Sequence, residues 1–146
     1  MIFYIDASAV VAVVGQEAAS LPVDLVIRDP ASVILISDLV LAESSAALAR
    51  NGRMKRLTLI EMEQVYQDLE TWTAGAGDKT DIVSTDIADA ITFVRLPGLV
   101  LRAPDAIHIA AARRLGATLL TLDNGMARAA AALGVPYINP ADASAL

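Results

Sequence analysis

Four acidic residues stand where a carboxylate does more than decorate a surface. Asp6 directly follows the apolar run Ile2 to Ile5, and Asp123 follows Thr118 to Leu122; each run reads as a strand. In an open parallel sheet the ligand crevice lies beyond the carboxyl ends of the strands, where the strand order reverses. If these two strands are neighbours, both carboxylates face one crevice. Taken singly, each also reads as the cap of the helix that follows. Glu43 falls between Leu39 and Leu48 on or beside an apolar stripe. An ionised carboxylate is costly there unless it is paired or bound to a metal, and Arg50 is the candidate ion-pair partner. Asp105 follows Pro104 in the first turn of a helix, where the helix dipole favours an acid.

Convergence would change the chemistry of all four. Like charges in one pocket repel and raise each other's pKa, so such a cluster makes sense mainly around a cation. Oxygen ligands without thiolates or paired histidines suit a hard divalent ion, Mg²⁺ or Mn²⁺. Such an ion polarises phosphate oxygens and lowers the pKa of water, which is what phosphodiester hydrolysis requires.

The elements that must position these acids follow from pattern and punctuation. Strands are predicted at Met1 to Ile5, Val33 to Ile36, weakly at Asp81 to Thr85, at Thr118 to Leu122 and at Val135 to Ile138. Ser8 to Gly15 fits strand or helix, and a short helix lies around Pro22 to Ile27. Ser37 or Asp38 caps a helix that runs to about Arg50, with Asn51-Gly52 as its stop. Thr58 and Glu61 form a capping box for a helix with Leu59, Met62, Tyr66, Leu69 and Trp72 on one face, and Ala74 to Asp78 reads as a turn. Asp86 caps a helix from Ile87 to about Arg95. Ala103 to Leu115 and Asn124 to Leu133 complete the set. Alternating strands and helices with short crossovers predict α/β architecture: a three-layer α/β/α sandwich with a four- or five-stranded parallel sheet.

Composition bounds the rest. The chain has 146 residues, the size of one domain spanning 1–146, and 55% of them are hydrophobic. It has no cysteine and one histidine, which excludes disulfide scaffolds, thiolate zinc sites and a cysteine nucleophile. The longest uninterrupted apolar run, Ala9 to Val14, is far short of the roughly 20 residues of a membrane span. The N-terminus lacks a basic region and carries Asp6 within its apolar stretch, so a signal peptide or anchor is not expected, and a cytoplasmic location is. The formal charge of −6 argues at first against nucleic acid. Setting the four acids aside leaves 13 acids against 11 bases. Two divalent ions would offset the four, so the acidity reads as a metal site rather than a repulsive surface.

Four stretches, in order, carry a resemblance: Tyr4-Ile5-Asp6-Ala7-Ser8-Ala9, Ser37-Asp38-Leu39-Val40-Leu41-Ala42-Glu43, Leu101-Arg102-Ala103-Pro104-Asp105-Ala106-Ile107-His108-Ile109-Ala110, and Leu119-Leu120-Thr121-Leu122-Asp123. Together they resemble the motifs of the PIN-domain family, and the whole is similar to VapC-type toxins of toxin–antitoxin systems, from about Ile2 to Pro140. The resemblance implies a PIN-like sheet of order 3-2-1-4-5 and a Mg²⁺- or Mn²⁺-dependent endoribonuclease. Water activated by the metal would attack RNA, leaving a 5′-phosphate and a 3′-hydroxyl. It assigns Asp6, Glu43, Asp105 and Asp123 to the family's catalytic, metal-holding quartet. It gives Ser8 an orienting role and Thr121 a supporting hydrogen bond. Many relatives carry basic residues after the last Asp. Here Asn124 and Gly125 stand there, with Asn124 as a cap or a partner of a metal ligand. His108 is expected to be packed and hydrogen-bonded, and Asp89 to be a cap rather than a fifth ligand.

Arg50, Arg53, Lys55 and Arg56 cluster near one loop, and Arg102, Arg113, Arg114 and Arg128 flank the acidic helices. Of these, Arg50, Arg53, Lys55, Arg56, Arg102 and Arg128 are the candidate RNA contacts. Aromatic residues make up 4% of the chain, too few for extensive base stacking, which favours a structured RNA held by shape and phosphate contacts. A homodimer and a cognate antitoxin are the expected protein partners. Three other readings compete. A phosphoacceptor domain would need adjacent acids after the first strand and a lysine ending a late strand, yet the lysines are Lys55 and Lys79. An aspartyl phosphatase would need Asp where Ser8 stands. A catalytically inactive PIN-like binding module would have no reason to keep four repelling acids.

Overall fold

The computed structural model describes residues 1–142. Its centre is two neighbouring parallel strands, β1 (Ile2–Ile5) and β4 (Thr118–Leu120), in register with Ile5 opposite Leu120. Tyr4, Ile5, Leu119 and Leu120 are fully buried, as expected of strands covered on both faces. β2 (Val33–Ser37) pairs with β1 on its other side. Two short edge strands, β3 (Asp78–Thr80) and β5 (Tyr137–Ile138), complete a five-stranded parallel sheet of order β3-β2-β1-β4-β5. The strand order reverses between β1 and β4, so the crevice for a ligand opens beyond Ile5 and Leu120.

Seven helices cover the sheet: α1 (Ala7–Val14), α2 (Ser20–Ile27), α3 (Asp38–Met54), α4 (Leu59–Ala76), α5 (Ser84–Val94), α6 (Ala103–Arg114) and α7 (Asn124–Ala132). They form two packed groups: α1 meets α2, α3 and α4, while α5 meets α6 and α6 meets α7. With the sheet between, the architecture is the three-layer α/β/α sandwich. Ser8 to Gly15 resolves as helix because the Asp6 side chain caps it at the Ala9 amide. The predicted capping box at Thr58 is present, with both reciprocal hydrogen bonds formed. No helix among the described residues is long and apolar enough to cross a membrane.

Three local expectations are corrected. α3 runs through Asn51 and Gly52 to Met54, and its end is made by Arg56 in the left-handed region at φ 54°. Gly52 is a packing notch: a Cβ there would stand 2.0 Å from Met62 Sδ on α4. The predicted turn at Ala74 to Asp78 is helix as far as Ala76, and the third strand is Asp78–Thr80 instead of Asp81 to Thr85. Its residues are polar, so only pairing with β2, from Leu35 opposite Asp78 to Ser37 opposite Thr80, makes them a strand. Asp86 is not the N-cap of α5. That position is Val83, and Asp86 accepts the Val83 amide from inside the first turn at 3.0 Å.

Candidate active site

Each acid reaches the crevice from a different element. Asp6 follows β1 and caps α1; it is 2% exposed. Its Oδ1 accepts the Ser8 hydroxyl at 2.7 Å and the Ala9 amide at 3.3 Å, and its Oδ2 accepts the Thr121 hydroxyl at 3.0 Å. Ser8 and Thr121 also accept backbone amides across the strand ends, from Leu122 at 2.9 Å and Asp123 at 3.0 Å. Each hydroxyl therefore donates to Asp6 and accepts from the segment beyond β4, so both sides of the crevice lock onto one carboxylate. Burial pushes the Asp6 carboxyl above its usual range, opposed by the hydrogen bonds it accepts from the Ser8 hydroxyl, the Ala9 amide and Thr121. No Arg or Lys is among its hydrogen-bond partners in the described residues.

Asp123 caps α7, its Oδ1 accepting the Met126 amide at 2.9 Å. Asp105, in the first turn of α6, is buried and takes the Arg102 guanidinium on both oxygens, Nε at 3.0 Å and Nη2 at 3.4 Å. Glu43, in the second turn of α3, is hydrogen-bonded through Oε2 to Nε2 of His108, so the expected partner Arg50 is not the one it takes. His108 is fully buried.

Asp6, Glu43, Asp105 and Asp123 line one cavity of about 480 Å³, together with Ser8, Glu17, Arg50, Asn51 and Arg102. Its wall carries five carboxylates, Asp6, Glu17, Glu43, Asp105 and Asp123, against two guanidiniums, Arg50 and Arg102. Glu17 escaped the sequence reading: it follows the end of α1 with no periodic or capping signal. Asn124 is exposed, and its amide oxygen accepts from Asn139 at 2.8 Å rather than lining the cavity. Arg53, Lys55, Arg56 and Arg128 are exposed outside the cavity wall, and Asp89 lies exposed on α5. Arg114 is taken up by Asp86, and Arg113 sits over the Phe93 ring at 5.9 Å.

The donor set fits a hard divalent cation: carboxylates in excess over cationic side chains, with water-sized space between them. It is not a closed cage. Among the described residues, no three His, Asp or Glu side chains stand together as a ready metal site. Mg²⁺ usually takes only one or two protein carboxylates and completes its shell with water and substrate oxygens.

The sheet order meets the family resemblance. The PIN domain family profile matches residues 3–132. The chain belongs to the PIN domain family. No curated protein sequence matches it. Among solved structures it is similar to VapBC-1 from nontypeable Haemophilus influenzae, with TM-score 0.71, 13% identity and coverage of 97% of this chain and 100% of that one. It is similar to VapBC2 from Rickettsia felis, solved bound to a DNA fragment from its promoter, with TM-score 0.70, 18% identity and coverage of 95% and 98%. It is also similar to Mycobacterium tuberculosis VapC20, a sarcin–ricin loop cleaving toxin, with TM-score 0.67, 17% identity and coverage of 87% and 94%. At these identities the likeness is one of fold.

Proposed function

We propose that this protein is a Mg²⁺- or Mn²⁺-dependent endoribonuclease and the toxin of a toxin–antitoxin pair, acting in the cytoplasm. The observation that carries the reading is the convergence of Asp6, Glu43, Asp105 and Asp123, from four separate elements, on one cavity at the strand-order reversal. A bound divalent ion supplies Lewis-acid polarisation of the scissile phosphate and acidifies water. Asp6, Glu43, Asp105 and Asp123 supply the carboxylates, of which one or two would hold the ion directly while the others would meet it through water. Ser8 and Thr121 keep Asp6 in one orientation through donated hydrogen bonds. Arg50 and Arg102, in the cavity wall, are placed to meet substrate phosphates. Arg53, Lys55, Arg56 and Arg128, exposed outside the wall, offer further cations for phosphates, which suits a structured RNA gripped through its backbone.

Membership of the PIN family and the VapC-like fold support the toxin assignment. Similar structures that are VapBC complexes support a bound antitoxin. Exposed apolar residues along α5, Ile87, Ile91 and Val94, support a protein partner as well, and a homodimer is the expected state. The decisive assay is RNA cleavage with Mn²⁺ by Asp6→Asn and Asp123→Asn variants. Loss in both is expected, with product ends of 5′-phosphate and 3′-hydroxyl. Undiminished cleavage in both overturns the metal-site reading, and a wild type that binds RNA without cleaving it points to a binding module. Light scattering that finds only monomer across micromolar concentrations removes the homodimer.

A further inference from the structure

A buried hydrogen-bonded chain runs from the sheet core to the candidate site and ends on Glu43. His108, the only histidine of the sequence, lies fully buried against Tyr4 of β1, with ring centroids 5.7 Å apart. Its Nδ1 is 3.0 Å from the Tyr4 hydroxyl oxygen, which is 2.6 Å from Ser37 Oγ. Ser37 Oγ in turn accepts the Val40 amide at 3.4 Å as the N-cap of α3, the helix that carries Glu43. On its other side, His108 Nε2 meets Glu43 Oε2.

The donors have one direction that satisfies every member. A carboxylate only accepts, so Nε2 carries a hydrogen and gives it to Glu43. With a neutral ring, Nδ1 accepts from Tyr4, Tyr4 accepts from Ser37, and Ser37 accepts from the Val40 amide. The Tyr4 hydroxyl has one O–H to donate, and His108 Nδ1 is the acceptor it meets at 3.0 Å. Buried polar networks that are fully satisfied rigidify their members. This one ends at a cavity wall: Glu43 is 29% exposed, and its Oε1 has no hydrogen-bond partner among the described residues.

We propose that His108, held by Tyr4 and Ser37, is a positioning residue that fixes one oxygen of Glu43 and presents the other to the cavity as a ligand for a divalent cation. The proposal rests on the metal-dependent reading above. It reaches beyond it by assigning a role to three residues that touch neither metal nor substrate. Partners of this kind, which orient a ligand, typically change metal affinity about 10–100-fold when removed.

The single histidine makes the test direct. A long-range ¹H–¹⁵N spectrum of the full chain contains one imidazole, expected as the Nε2–H tautomer and expected to shift in Glu43→Gln. The Nδ1–H tautomer, or a ring untouched by Glu43→Gln, overturns the proposal. Mn²⁺ affinity, read from the free-ion electron paramagnetic resonance signal, gives the second arm. His108→Ala is expected to weaken binding about 10–100-fold and Tyr4→Phe to weaken it less. In the Glu43→Gln background, His108→Ala is expected to add less than about twofold, the mark of two residues acting as one unit. Unchanged affinity in His108→Ala, or the same loss with and without the Glu43 carboxylate, overturns the proposal. Tyr4→Phe keeps the packing volume and carries the test if His108→Ala fails to fold: in that case unchanged Mn²⁺ affinity in Tyr4→Phe overturns the proposal. Wild-type protein that binds no Mn²⁺ defeats the metal reading and this proposal together. Wild-type binding with an unaffected His108→Ala defeats this proposal alone.

Discussion

Two aspartates are withdrawn from water almost completely, and their surroundings differ in kind. Asp86 on α5 is 1% exposed and faces a cation: Arg114 of α6 donates from Nε at 2.8 Å and Nη2 at 3.0 Å, and the Val83 amide adds a third bond. The same Arg114 also ties down the Asp81 carbonyl at 2.8 Å. Asp6 is 2% exposed and meets only neutral donors, two hydroxyls and an amide. A buried charge without a cation is expensive. At Asp86 the fold supplies that cation and holds α5 against α6. At Asp6 it supplies geometry and leaves the charge to be matched from outside. Asp86 is already neutralised and serves the structure, whereas on the proposed metal-dependent reading Asp6 is oriented for a cation that binds from outside.

Substituting both positions separates these roles. Asp6→Asn is expected to reduce RNA cleavage by more than the roughly 100-fold upper end of losses at outer ligand partners, because on the proposed reading it removes a ligand itself. Its stability, measured by urea unfolding, is expected to hold or rise, since the neutral amide escapes the cost of burying a charge. Loss of fold in that variant would collapse the distinction between the two sites. Asp86→Asn is expected to do the reverse. Breaking a fully buried pair costs about 3–5 kcal/mol, and because the Arg114 side chain is 32% exposed the expected loss is nearer 2 kcal/mol. Cleavage per folded molecule should be unchanged.

A smaller effect sharpens the contrast through pH. In chelated protein, the folded-state pKa of Asp6 lies above its ordinary value of 3.8 because of burial. Between those two values the folded state binds more protons than the unfolded one, so stability falls as pH rises through that window. Asp6→Asn should remove this slope, and saturating Mn²⁺ should flatten it in the wild type by favouring the ionised form. An unfolding series against pH that shows the same slope in wild type and variant would exclude the assignment. The smallest effect belongs to the exposed bases. Arg53→Ala or Lys55→Ala should weaken RNA binding uniformly and lower the salt slope by about one each, read from binding at graded salt.

Legibility in the sequence followed how local each feature is. Asp6 and Asp123 were readable because an apolar run, its end and the helix cap are all set by near neighbours, and both caps form. The Thr58 capping box was readable for the same reason. Gly52 misled because glycine signals a helix stop locally, while its use here is set by Met62 of another helix. β3 carried no apolar alternation, so its existence waited on β2. Glu43 was suspect from its stripe, but its partner is His108, sixty-five positions away, and not Arg50, two turns along its own helix. Glu17 had no signal at all until the cavity closed around it.

The sequence by itself determined the alternation of strands and helices, the family and the acids worth testing. Those rest on short-range hydrophobic pattern, capping chemistry and residue spacing, which need no knowledge of distant contacts. Tertiary structure alone decided which acid meets a cation and which does not. It also decided that a buried histidine steadies Glu43, and that Arg114 belongs to the core pair rather than to the cavity. Those outcomes depend on distances between groups far apart in the chain and on burial, which sets how much each charge costs. Neither quantity exists until the chain is folded.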